Sequence, residues 1–164
     1  MRTFIVCTIL VFCCLAIGCG FHWIKVPTGA MQPTIKIEAN VITDETAYSS
    51  GQPIERFDIV IHKAPIDDNY RKLGIDENTR FIFRVIGLSN EKVEIKDGKV
   101  FINDKLLEET FEKFTFNDNF GPIIVPENEF FLLGDNRPES NDSRYWKPAT
   151  IKRENIFGKV VKIF

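Results

Sequence analysis

KVEIKDGKVFIN, residues Lys92 to Asn103, is the stretch on which the fold class turns. Two five-residue arms of matched polar and apolar alternation flank Asp97-Gly98. A period of two places one set of side chains on each face of an extended strand, so each arm has a core-facing side. Asp-Gly accepts the positive φ angles of a two-residue type I′ turn, which matches the twist of antiparallel strands. The segment therefore predicts a β-hairpin.

The same local pattern extends in both directions. Ile35-Lys36-Ile37, Phe57 to His62, Phe81 to Leu88, Glu129 to Leu133 and Asn155 to Phe164 are short runs rich in β-branched and aromatic residues, and each reads as a strand. Gly158 interrupts the last one, which predicts a bulge or a close backbone approach. The polar stretches Asp44 to Gln52, Asp67 to Asn78 and Glu108 to Gly121 read as loops. No window of residues 25–164 carries a helical stripe. The fold class that follows is mostly β: one domain over residues 25–164, built as a curled antiparallel β-sheet.

The chain has 164 residues, 44% of them hydrophobic, which is enough for one domain with its own core. Lys and Arg number 21 against 23 Asp and Glu, with no basic cluster to track a phosphate backbone, so nucleic acid is excluded as a partner. Four cysteines, Cys7, Cys13, Cys14 and Cys19, all lie in the first nineteen residues, so the β domain has no internal disulfide. The two histidines, His22 and His62, have no carboxylate or thiol at ligand spacing, which leaves no metal site; no cofactor is implied. His62 reads as one face of a strand.

Residues 3–24 carry no formal charge apart from His22, and Phe4 to Gly20 reads FIVCTILVFCCLAIGCG. As a helix, 22 residues would span ~33 Å at ~1.5 Å per residue, the thickness of a bilayer core. Residues 1–24 are thus expected to form an N-terminal transmembrane anchor. An alternative stays open, because Leu15-Ala16-Ile17-Gly18-Cys19 resembles a lipobox; residues 1–18 would then be a cleaved signal and Cys19 the lipidated residue. Either route attaches the chain to membrane lipid. The amino group and Arg2 favour a cytoplasmic N-terminus, placing the β domain on the extracytoplasmic side.

Four segments in order carry a family resemblance: PTGAMQPTI at Pro27 to Ile35, RFDIVIHKAP at Arg56 to Pro65, FIFRVIGL at Phe81 to Leu88, and GDNRPESNDSRYW at Gly134 to Trp146. Together with the hairpin and the apolar segment before the first motif, they resemble bacterial signal peptidase I, a serine/lysine-dyad family of the cell membrane. In that family the residue before Met in the first segment is the nucleophilic Ser; here it is Ala30. The family's general-base Lys falls in the third segment at the position of Phe83. The resemblance further implies an oxyanion role for Thr28, a pocket or turn role for Met31, Pro33 and Thr34, and a base-contacting hydroxyl at Ser140. It implies structural support from Arg84 and from an Asp142–Arg144 pair. Pro138-Glu139 stands where Asp-Asn is usual, Ser89-Asn90-Glu91 where Pro-Gly-Asp is usual, and Lys147 where Gly is common.

A methyl group has no lone pair to attack a carbonyl, and a phenyl ring neither accepts nor donates a proton. Loss of nucleophile or base in hydrolases of this kind leaves at most about 10³ to 10⁴ of rate enhancement. The expectation is a degenerate signal peptidase I-like membrane protein that binds signal peptides, exported segments or subunits of a surface polymer without cleaving them. Two alternatives accompany it: an active peptidase with a nucleophile recruited from elsewhere, such as Thr28 or Ser140, and a structural envelope lipoprotein.

Overall fold

The computed structural model describes residues 20–63, 68–72, 75, 76, 78–111 and 114–164. Eleven strands are present among them: β1 Phe21–Lys25, β2 Asn40–Asp44, β3 Ile59–Lys63, β4 Arg80–Gly87, β5 Lys92–Lys96, β6 Lys99–Ile102, β7 Lys105–Leu106, β8 Phe120–Ile124, β9 Glu129–Leu133, β10 Ile151–Lys152 and β11 Ile156–Ile163. They form a seven-stranded sheet in the order β1-β2-β11-β3-β4-β9-β10 and a four-stranded sheet in the order β7-β6-β5-β8. Every pairing is antiparallel. The mostly β, antiparallel architecture is the one expected.

The hairpin forms as read. Lys96 pairs with Lys99 and Ile95 with Val100, and Asp97 and Gly98 take φ values of 48° and 74°. Val93, Ile95, Val100 and Ile102 all turn inward, into a core beneath the four-stranded sheet.

Alternation on β4 and β9 explains how one sheet serves two cores. Phe83, Val85, Phe130 and Leu132 point into the larger core with Met31, Ile35, Tyr70 and Trp146. Ile86, Phe131 and Leu133 point the other way, into the smaller core. A strand buried on both faces loses its polar positions, which is why Phe130 to Leu133 reads as a continuous apolar run. Gly158 sits at a register shift of β11 against β3, as its place in the sequence suggested.

Several expectations need correction. Residues 21–24, assigned to the anchor, belong to β1, which pairs with β2 from Phe21↔Asp44 to Lys25↔Asn40. Hydropathy alone could not separate an exposed aromatic strand from the apolar segment before it. Ile35-Lys36-Ile37 is not a strand: the Ile35 N–H donates to the Met31 carbonyl at 2.8 Å, and Glu38 takes a φ of 65°, so the chain curls back there. The stretch Asp67 to Asn78 contains a short helix, α1, at Asp68–Lys72. The loop read as Glu108 to Gly121 ends in β8, whose Gly121-Pro122 pair disguised a strand. Residues 1–19, with the lipidation candidate Cys19, lie outside the described residues. Among the described residues no helix is long and apolar enough to cross a membrane.

Candidate functional site

The turn after β1 carries the first motif. Met31, 1% exposed, fills the larger core, while Thr28 and Pro33 are exposed and Ala30 is half-buried with its methyl group against that core. Asn136 fastens this turn to the loop leaving β9. Its N–H donates to the Ala30 carbonyl at 3.0 Å, and its side-chain Nδ2 donates to the Gly29 carbonyl at 3.1 Å. The Thr34 hydroxyl donates to the Asp135 carboxylate.

Phe83 lies in the middle of β4 opposite Val60 and is 5% exposed. Its ring sits 5.7 Å from His62, 6.0 Å from Phe81 and 5.5 Å from Trp146, centroid to centroid. Trp146 is fixed in turn, its indole N–H donating to the Asn141 carbonyl at 3.1 Å and the Tyr70 hydroxyl at 3.2 Å. His62 is on β3, as read, and is wholly buried. Its Nδ1 lies 2.7 Å from the Lys63 carbonyl, which can only accept, so Nδ1 carries the proton. Nε2 is then a buried acceptor with no partner among the described residues. Burial pushes the imidazole pKa down to about 4, only partly opposed by the bond to the Lys63 carbonyl.

The loop from Gly134 to Trp146 supplies the last wall. Both backbone groups of Gly134 are held: its N–H donates to Asp142 Oδ2 at 3.1 Å and its carbonyl accepts from Arg137 Nε at 2.9 Å. A Cβ on Gly134 would stand 2.3 Å from Ser140 Oγ and 2.5 Å from the Ala30 carbonyl oxygen. Only glycine lets these two groups approach so closely. Ser140 Oγ is buried there and has no hydrogen-bond partner among the described residues. Behind it, Arg144 grips Asp142 through Nε at 2.8 Å and Nη2 at 3.0 Å. Arg84 grips Asp135 through Nε at 2.8 Å and Nη2 at 2.6 Å. Such forked pairs hold a loop rigidly.

The arrangement therefore brings together a methyl group, a phenyl ring and a lone hydroxyl. Proton transfer to or from an attacking group needs a base within hydrogen-bond reach. Among the described residues none stands within reach of Ser140 Oγ.

The family model of "Signal peptidase, peptidase S26" matches residues 1–164. The chain belongs to that family. Within peptidase S26, it is 39% identical over 138 residues to thylakoidal processing peptidase 1 of Arabidopsis thaliana, covering 84% of this chain and 40% of that protein. It is 34% identical over 134 residues to a probable signal peptidase I-2 of Synechocystis, covering 82% and 58%. To the signal peptidase I of Leptolyngbya laminosa it is 34% identical over 139 residues, covering 85% and 66%. The chain thus spans between 40 and 66% of the length of these three relatives. A solved signal peptidase I from Enterococcus faecalis superposes with a TM-score of 0.53 at 29% identity, covering 68% of this chain and 98% of that one.

In this S26 chain the four motifs converge: the segments of Ala30, Phe83 and Ser140 all border the larger core. Asp142 and Arg144 pair at 2.8 Å, and Arg84 is buried. Sequence reasoning missed Asp135 and Asn136, which tie the first and fourth motifs together, and the buried His62 against Phe83. The pairing partner of Arg84 lies 51 residues away, so no local spacing announces it. Arg137, flanked by Asn136 and Pro138, gave no sign of being fully buried.

Proposed function

We propose that this peptidase S26 chain is a catalytically silent, membrane-anchored protein that binds extended segments of exported polypeptides, signal peptides among them, without cleaving them. The observation that carries the reading is the Ser140 hydroxyl, buried against Gly134 and left without a hydrogen-bond partner among the described residues. A buried hydroxyl normally finds one. In the family this hydroxyl meets the base, and here the base position is Phe83, packed among three aromatic rings. The Ala30 methyl offers no attacking oxygen.

The geometry of β4 supports binding. Residues Arg80 to Phe83 pair with β3 alone among the described residues, because β9 pairs only from Arg84 onward. Val85 directs both its N–H and its carbonyl to the β3 side. Alternation then turns the backbone groups of Ile82 to the opposite side, an edge where an extended segment adds as a strand.

Membrane attachment rests on residues 1–19 and on the strand that continues them. Trp23 and Phe164, 62% and 54% exposed, stack at 4.8 Å at the end of the seven-stranded sheet. Exposed Trp beside an apolar segment suits a bilayer interface. The β domain then lies on the extracytoplasmic face of the cell membrane.

The test uses the full chain in detergent micelles and a fluorescent signal peptide. Saturable binding with no new peptide termini is the expected result. Absence of saturable binding removes the reading, and cleavage that disappears in Thr28→Val or Ser140→Ala would establish an active peptidase in its place.

A further inference from the structure

Three arginines lie in a layer behind the site, and the loop between β7 and β8 covers all three. Glu109 pairs with Arg137, whose side chain is fully buried. The Phe111 ring lies 4.0 Å from the Arg84 guanidinium. Phe116 faces two guanidinium groups, Arg137 at 5.3 Å and Arg144 at 5.4 Å. Asp118 accepts from Arg144 Nη1 at 2.5 Å.

The loop is itself held by the hairpin turn. The Gly98 N–H donates to the Asp118 carbonyl at 3.1 Å, and the Asp97 N–H donates to Asn119 Oδ1 at 3.1 Å. A Cβ on Gly98 would strike the Phe116 carbonyl oxygen at 1.8 Å, so the two backbones touch. The β5–β6 hairpin thus sets the height at which Phe116 and Asp118 meet the arginines.

Each arginine continues toward the site. Arg137 Nε holds the Gly134 carbonyl at 2.9 Å. Arg144 Nη2 holds the Arg137 carbonyl at 2.6 Å and the Ser140 carbonyl at 3.3 Å, while its partner Asp142 holds the Gly134 N–H. Gly134 is the residue across which Ser140 and Ala30 meet. Arg137 Nη1 is buried with no hydrogen-bond partner among the described residues, where Glu109 and the Phe116 ring supply compensation for this cation. Removing one support from a buried charge costs more than the bond it made.

We propose that Phe116 and Asp118 are positioning residues: through Arg137 and Arg144 they fix the Gly134–Ser140 loop, and with it the Ala30 turn that faces a bound segment. The functional consequence rests on the binding reading above, and the conformational one does not. Phe116 meets the two guanidinium groups, and Asp118 meets Arg144 and the Tyr145 hydroxyl.

Amide hydrogen exchange on the full chain in micelles reads the conformational claim without any ligand. Phe116→Leu keeps apolar bulk and loses the ring. Exchange at the Gly134 and Asn136 amides should rise about five- to thirtyfold, the value of a desolvated cation–π contact, while the β5–β6 amides stay within about twofold of the parent. Phe116→Tyr should restore parental exchange, and signal-peptide affinity should fall in Phe116→Leu only by the factor by which the closed loop population drops, recovering in Phe116→Tyr. Unchanged exchange at both amides overturns the proposal. Should Phe116→Leu loosen the hairpin equally, Asp118→Asn decides: local acceleration at Gly134 and Asn136 supports the proposal, and parental exchange there overturns it. A parent that binds no signal peptide but shows the local acceleration sinks the binding reading alone.

Discussion

Acid should unfold this protein through His62. The imidazole is fully buried between Phe81, Phe83 and Trp146, with one nitrogen bonded to the Lys63 carbonyl and the other without a partner among the described residues. From β4 and from the Trp146 segment, the rings of Phe81, Phe83 and Trp146 face it. Its pKa falls from 6.5 to about 4 on folding because burial penalises the charged form. Between these values the unfolded chain binds a proton that the folded chain refuses, so stability rises with pH there. The contribution is complete above pH ~6.5 and is lost as pH falls toward ~4. That gap corresponds to about 3 kcal/mol in all, most of it lost by pH 4.5. The control is His62→Phe, which keeps an aromatic ring in the cluster and cannot titrate. Urea unfolding of both proteins at pH 7.5, 6.5, 5.5 and 4.5 isolates this group, since every other titration cancels in the difference. The parent should lose about 2 to 3 kcal/mol relative to the variant between pH 7.5 and 4.5. Parallel curves would refute the assignment of a neutral, unsolvated imidazole beside Phe83.

Arg84→Met should destabilise by about 3 to 5 kcal/mol, because Asp135, 0% exposed, loses both guanidinium bonds and among the described residues keeps the Thr34 hydroxyl alone; denaturant unfolding at pH 7 reads it. Replacing Asp135 with Asn in that background should recover part of the loss. Gly98→Ala should cost at least ~2 kcal/mol, since Gly98 combines a φ of 74° with the contact to the Phe116 carbonyl. It should also speed exchange at the Asn119 side of the loop, measured by the same amide method.

Some of this architecture was readable before any coordinates, and the reason is local chemistry. Asp97-Gly98 between alternating arms dictates its own turn, and the order of four motifs named the positions of Ala30, Phe83 and Ser140. The strand β1 was lost because Phe21, Trp23 and Ile24 extend a run of uncharged residues without a break, and hydropathy does not say where an apolar segment changes partner. Long-range contacts left no trace either: Thr34 reaches Asp135 across 101 residues and Arg144 reaches Asp118 across 26. Phe116 looked like loop filler because a ring between two guanidinium groups has no sequence period. His62 was placed on the right strand, but nothing beside it in sequence tells that Phe83 and Trp146 close over it.

The central claim concerns peptide-bond cleavage, and mass spectrometry of a purified preprotein measures it directly. Incubated with the parent chain in micelles, the preprotein should stay intact. With Ala30→Ser and Phe83→Lys combined, which restore a hydroxyl at position 30 and an amine among the aromatic rings, a single new terminus should appear. Trimming at a defined bond by the parent chain, freed of contaminating protease and retained in Phe83→Ala, would contradict the account.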